Sequence, residues 1–126
     1  MSVWGDGSPI RDFIYADDVA RGMLKSVALG INIPLNLGSG DGVSIKDIAE
    51  IIADRFDKTI SWDVDKPSGD SRRVMDVSRA SSFGIESCVP LRVAINKTID
   101  WYLHTNLDSS SRYNSFTEPD LRPSVS

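Results

Sequence analysis

Apolar residues recur at helical spacing in three stretches of the chain. The clearest follows Ser44, where Ile45, Ile48, Ala49, Ile52 and Phe56 form one stripe. Ser44-Ile45-Lys46-Asp47 is close to a capping box, in which hydroxyl and carboxylate close each other's backbone amides. A second helix is expected after Asp17 and Asp18, with Val19, Ala20, Met23, Leu24, Val27 and Ala28 in register. The two acids are placed to cap its exposed amides, and Gly30 to end it. A third runs from Leu91 to Leu103, with Leu91, Ala94, Ile95, Ile99 and Tyr102 facing inward. Pro90 stands near its first turn, where a missing amide proton does no harm. Val77 to Phe83 reads as a short helix stopped by Gly84.

Other stretches alternate. Thr59 to Val64 puts Ile60, Trp62 and Val64 on one face, the pattern of a half-buried strand. Ile31 to Leu37 is a second strand candidate, with Leu35 and Leu37 on one side. Phe13-Ile14-Tyr15 reads as a brief strand or an extended lead-in. Turn formers crowd Trp4 to Arg11, and Gly38-Ser39-Gly40-Asp41-Gly42 reads as a tight loop. Asp65 to Asp76 is polar, with Pro67, Gly69 and three cations. An α/β fold follows, with about three main helices and a few short strands. Residues 1–104 are expected to form one domain, and 105–126, rich in Ser, Pro and Thr toward the end, a polar tail.

Composition narrows the classes. At 126 residues with 25% charged side chains, the chain is the size of one ordinary domain. Eighteen acids against fourteen bases give a net charge of −4, the wrong balance for a nucleic-acid or anionic-membrane footprint. The apolar runs are too short to span a bilayer, and the first residues lack the basic cap and apolar stretch of a secretory signal. The lone Cys88 excludes an internal disulfide and weakly favours a reducing compartment, so a cytoplasmic location is expected. One His and one Cys argue against a dedicated zinc site.

Candidate chemistry is sparse. Gly38-x-Gly40 has the context of a phosphate cradle, but the next glycine is at 42, off the dinucleotide spacing, which favours a plain turn. His104 ends a helix with no nucleophile paired to it, and Cys88 reads as a packing residue. The cations carry more. Arg11 follows a glycine turn, and Lys66, Arg72 and Arg73 lie in a Pro/Gly loop. Charge pattern alone makes them solvated surface, yet guanidinium groups on short rigid loops are also how proteins grip phosphate.

Trp4-Gly-Asp-Gly-Ser-Pro-Ile-Arg-Asp-Phe-Ile-Tyr-Ala-Asp-Asp-Val-Ala-Arg resembles the start of the C-terminal third of extended short-chain dehydrogenase/reductases. These are NAD(P)-dependent nucleotide-sugar epimerases, dehydratases and reductases. Leu35-Asn-Leu-Gly-Ser-Gly with Val43-Ser-Ile-Lys-Asp-Ile-Ala-Glu is similar to a late strand and helix of the family. Lys66-Pro-Ser-Gly-Asp-Ser-Arg-Arg-Val-Met-Asp-Val-Ser-Arg resembles the loop that closes over the sugar nucleotide. Its Lys-Pro-x-Gly form looks most like the GDP-L-fucose synthase branch. Leu91 to Tyr102 is similar to the final helix, so the likeness covers roughly residues 3–104.

The resemblance implies the substrate-binding part of a Rossmann-like enzyme, with a nucleotide-diphosphate sugar as ligand. Arg11 matches an arginine that contacts the diphosphate in relatives, and Lys66 the basic residue of the closing loop. Arg72 or Arg73 supports them, and for Asp17 and Asp18 capping is sufficient explanation. The family's glycine fingerprint and catalytic Tyr-x-x-x-Lys lie upstream of the matched region. Here Tyr15, Tyr102 and Tyr113 are followed four residues on by Val19, Asn106 and Thr117, so no such pair exists. NAD(P) then belongs to the parent family and not to this chain, which is expected to be catalytically inactive by itself. Such a chain reads as a truncated or excised piece of a longer frame. The alternative is a standalone α/β module for binding or self-assembly. Without the Rossmann half, the segment around Leu35 and the apolar side of the Ser44 helix would be bare, so a homo-oligomer is expected.

Overall fold

The computed structural model describes residues 1–67 and 69–105, so all of the expected 105–126 tail except Thr105 lies outside the described residues. The elements are β1 (Ser2–Trp4), β2 (Ile10–Asp12), α1 (Ala16–Ala28), β3 (Gly42–Ser44), α2 (Ile45–Arg55), β4 (Ser61–Asp63), β5 (Arg72–Arg73), α3 (Ser78–Ser82) and α4 (Leu91–His104). This is the α/β mixture expected. β1 runs parallel to β4, with Val3 opposite Trp62. β2 is the centre of a second sheet, antiparallel to β3 and parallel to β5.

The glycine turn after β1 locks the two sheets together. Gly5 and Gly7 have φ of 79° and 76°, where a side chain is strained. A Cβ on Gly7 would also sit 2.6 Å from the Trp62 ring. The Gly5 amide donates to the Asp63 carbonyl (2.8 Å), and the Lys46 amide donates to the Gly7 carbonyl (2.9 Å). The same turn therefore seats β4 and the start of α2.

α2 forms as its sequence dictates. The Asp47 amide donates to Ser44 Oγ at 3.0 Å, and the Asp47 carboxylate accepts from the Ser44 amide at 3.2 Å. Ala49, Ile51 and Ala53 are buried, Ile48 and Ile52 half-buried. α4 packs against it through the buried Ala94, with Arg55–Asp100 (2.8 Å) and Arg92–Asp54 (3.5 Å) as bridges. Both bridges converge on the last turn of α2. Tyr102, expected inward, is instead 63% exposed.

Three other expectations are corrected. Pairing at the start of the chain falls on Ile10–Asp12, overlapping the end of the stretch read as a turn. Of the two readings of Phe13–Tyr15, the extended lead-in to α1 holds, with Tyr15 as N-cap. Residues 31–37 form no strand. Leu35 and Leu37 are half-buried as the alternation implies, but the segment is held by side-chain bonds and not by a ladder. The Asn36 side chain donates to the Asp76 carbonyl and the Arg79 side chain to that of Pro34. Val64 lies in the turn past β4 and is exposed.

The largest correction concerns α1. Its inward face is Asp18 and Gly22, and a Cβ on Gly22 would meet Leu37 at 3.0 Å. The apolar stripe looks outward, with Leu24 72% and Val27 81% exposed. Bare apolar surface thus lies on α1, while on the Ser44 helix Ile45, Ile48 and Ile52 are half-buried and Phe56 is exposed.

Replacing Ser44 with Ala removes the acceptor for the Asp47 amide and should cost about 1 kcal/mol. Urea denaturation of the two variants measures it, and an unchanged midpoint would exclude the cap as a source of stability.

Candidate functional site

The register of the second sheet sorts the four predicted cations. Arg11 on β2 is paired with Arg73 on β5, and Ile10 with Arg72. Residues in register share a face, and successive residues alternate faces. Arg11 and Arg73 therefore project to one side, and Arg72 to the other. The Arg11 guanidinium folds back onto the Ile10 carbonyl (2.8 Å), and a Cβ on Gly69 would lie 3.5 Å from its other nitrogen. The chain at Gly69 thus passes beside Arg11. Lys66, just upstream, stands 5.8 Å from the centre of the Trp4 ring. Arg73 is loosely paired to Asp70 at 3.4 Å and stays largely exposed.

The glycine loop is turned toward a carboxylate of the protein itself. Asp12 accepts from the Ser39 amide (2.8 Å), the Ser39 hydroxyl (2.6 Å), the Gly40 amide (3.1 Å) and the Met75 amide (3.2 Å). Burial pushes the Asp12 carboxyl up, but the four donations outweigh it and hold it below the ordinary aspartate value.

Asp18 does the same work further on. Its side chain is fully shielded and makes no cap to its own helix. It accepts instead from the Cys88 amide (3.1 Å), the Val89 amide (3.0 Å) and the Ser87 hydroxyl (3.2 Å), and it pairs with Arg21. The capping role read for it from sequence is therefore replaced by a tie across 70 residues. Residues 87–90 form one wall of a cavity of about 640 Å³ between α2, α4 and the 13–16 segment. Its lining is mainly aliphatic, including Ile48, Ile52, Val89 and Ile95, and its only charged lining residue among those described is Asp41. None of the four predicted cations lines it.

Comparison with known proteins adds to this geometry. Residues 1–38 match the NAD dependent epimerase/dehydratase family. GDP-L-fucose synthase 1 of Arabidopsis thaliana is 38% identical over 104 residues, covering 80% of this chain and 32% of that protein. A GDP-L-fucose synthetase from Naegleria fowleri, solved with NADP, superposes with a TM-score of 0.72 at 27% identity. That match covers 81% of this chain and 34% of the other. UDP-glucose 4-epimerase from Thermotoga maritima, solved with UDP-glucose, shares the fold with a TM-score of 0.68 at 23% identity over 82% of this chain and 34% of its own.

Over four-fifths of its length the chain is similar to enzymes of the NAD dependent epimerase/dehydratase type.

The chain spans about a third of the length of the relatives it matches. The dinucleotide implied by the family finds no fit on the glycine loop. The amides of Ser39 and Gly40 already face the Asp12 carboxylate, and the first turn of α2 is closed by Ser44 and Asp47. A second anion would meet repulsion there and no free donors. No described helix is long and apolar enough to cross a membrane. Sequence reasoning missed Asp12 altogether and misjudged Asp18. A single Asp carries no periodic signal, and the amides it binds lie 27 to 71 residues away.

Asp18→Ala should destabilise the chain by about 2 kcal/mol, because two part-buried amides and a hydroxyl lose their acceptor and Arg21 its partner. Urea denaturation gives the loss, and hydrogen exchange should quicken at the Cys88 and Val89 amides. A change below about 0.5 kcal/mol would mean that water replaces the carboxylate at little cost.

Proposed function

We propose that this chain supplies the nucleotide-sugar-binding part of an NAD(P)-dependent nucleotide-sugar epimerase, dehydratase or reductase, of the GDP-L-fucose synthase type. In this reading Arg11 and Arg73 neutralise the diphosphate, with Lys66 approaching from the closing loop. The observation that carries it is the pairing of Arg11 with Arg73 on one face of the sheet, beside the loop that holds Gly69. The names of the relatives support a guanosine-diphosphate sugar as the ligand class. Dinucleotide binding and proton transfer fall to other parts of such an enzyme, since no Tyr-x-x-x-Lys stands in this sequence. Between the two neighbouring arginines, register favours Arg73 over Arg72.

Calorimetric titration with a GDP-sugar tests this. Arg11→Ala and Arg73→Ala should each weaken binding roughly tenfold or more, the usual loss for a charge-assisted hydrogen bond, and Arg72→Ala should not. Equal losses at 72 and 73 would defeat the assignment by register.

A second reading, a self-assembling module, rests on the outward stripe of α1. Met23, Leu24, Val27 and Leu29 are each more than half exposed, and such a patch gains by pairing with a second copy. Light scattering across a dilution series should then show a mass above one chain that falls with Leu24→Glu. A monomeric mass at every concentration would exclude it.

A further inference from the structure

We infer that Asp12 is the positioning residue that holds Arg73 in register beside Arg11, an inference that rests on the diphosphate reading of that pair. β5 consists of two residues only, both exposed. A ladder so short, without a buried face, is too weak to fix a strand by its backbone bonds alone. Its start is tied by the Ile10 amide, which donates to the Ser71 carbonyl at 2.9 Å. Its exit is tied by Asp12, which takes the Met75 amide two residues beyond Arg73. The Asn36 side chain adds a bond to the Asp76 carbonyl.

The clamp is anchored at its far end. Asp12 is the neighbour of Arg11 on β2, and its side chain projects to the opposite face of the strand. There the Ser39 amide and hydroxyl hold one carboxylate oxygen, while the Gly40 amide shares the other with Met75. Gly38 lets the loop close around it: a Cβ there would fall 2.8 Å from that second oxygen and 3.1 Å from the Met75 Cβ. The carboxylate is thus fixed by the glycine loop and in turn fixes the exit of β5. Four donors converge on it, and an Asn side chain cannot serve them all. Its single oxygen accepts on one side only, and its NH₂ would face amide protons on the other.

The full chain carries the test, with inorganic pyrophosphate as the probe. Asp12→Asn should weaken pyrophosphate binding as much as Arg73→Ala does, about tenfold. The double variant should bind no more weakly than either, because Asp12 acts through Arg73. Additive losses, or unchanged binding by Asp12→Asn, would overturn the inference. Hydrogen exchange by NMR reads the clamp without any ligand. In Asp12→Asn the Met75 amide should exchange at least tenfold faster, and the backbone contact between Arg11 and Arg73 should be lost. A wild-type chain that fails to bind pyrophosphate counts against the diphosphate reading, while the NMR result still decides the role of Asp12. Ser39→Ala removes one donor and leaves the charge in place, so it serves if Asp12→Asn does not fold. It should quicken Met75 exchange by several-fold, and an unchanged rate would refute the clamp.

Discussion

One carboxylate, that of Asp12, stands where β2, the 38–40 loop and the exit of β5 meet, and it accepts a bond from each of the other two. The three segments share little apolar surface. β5 is exposed, the loop is glycine and serine, and β2 is only half-buried. Charge-assisted bonds, about twice as strong as neutral ones, therefore do what side-chain packing does elsewhere. The candidate site inherits its geometry from this point, since Arg11 precedes the carboxylate in sequence and Arg73 lies just before the amide it holds.

Asp18 repeats the device in the α-helical part, gathering the 87–89 segment onto α1 and shaping one wall of the apolar cavity. Smaller versions recur. Asp6 accepts from Ser8, Asp47 from Ser44 and Asp76 from Ser78, and each carboxyl is held below its ordinary value by those hydrogen bonds. An acidic chain thus uses many of its acids to grip its own backbone. Because the folded state depresses these carboxyls, their contribution is present above the ordinary aspartate range and is lost as pH falls through the folded values.

Cations and cavity are separate features. The cavity has the lining of a packing surface, with Asp41 its only charged residue among those described, and is unsuited to a diphosphate. Of the arginine pair, Arg73 is exposed on the sheet and Arg11 half-buried beside it. The outward stripe of α1 is a third surface, apolar and uncovered. This helix turns Asp18 and Gly22 inward and leaves Leu24 and Val27 in the open.

What depends on neighbours in sequence was legible without the structure. The Ser44–Asp47 box, the stop at Gly30, the short helix before Gly84 and the Trp62 strand follow from contacts within a few residues, so their pattern is written in the chain. The four cations were legible as candidates, but not their grouping. Tertiary structure decided which way each face points. The α1 stripe has a flawless helical period, yet period says only that one side differs from the other, not which partner covers it. The alternation of residues 31–37 likewise marks an extended segment, while a strand exists only when another backbone lies alongside. Asp12 and Asp18 took their roles from amides distant in sequence, and register placed Arg73 and not Arg72 beside Arg11. Those are long-range pairings, fixed by how the chain returns on itself and invisible to any local pattern.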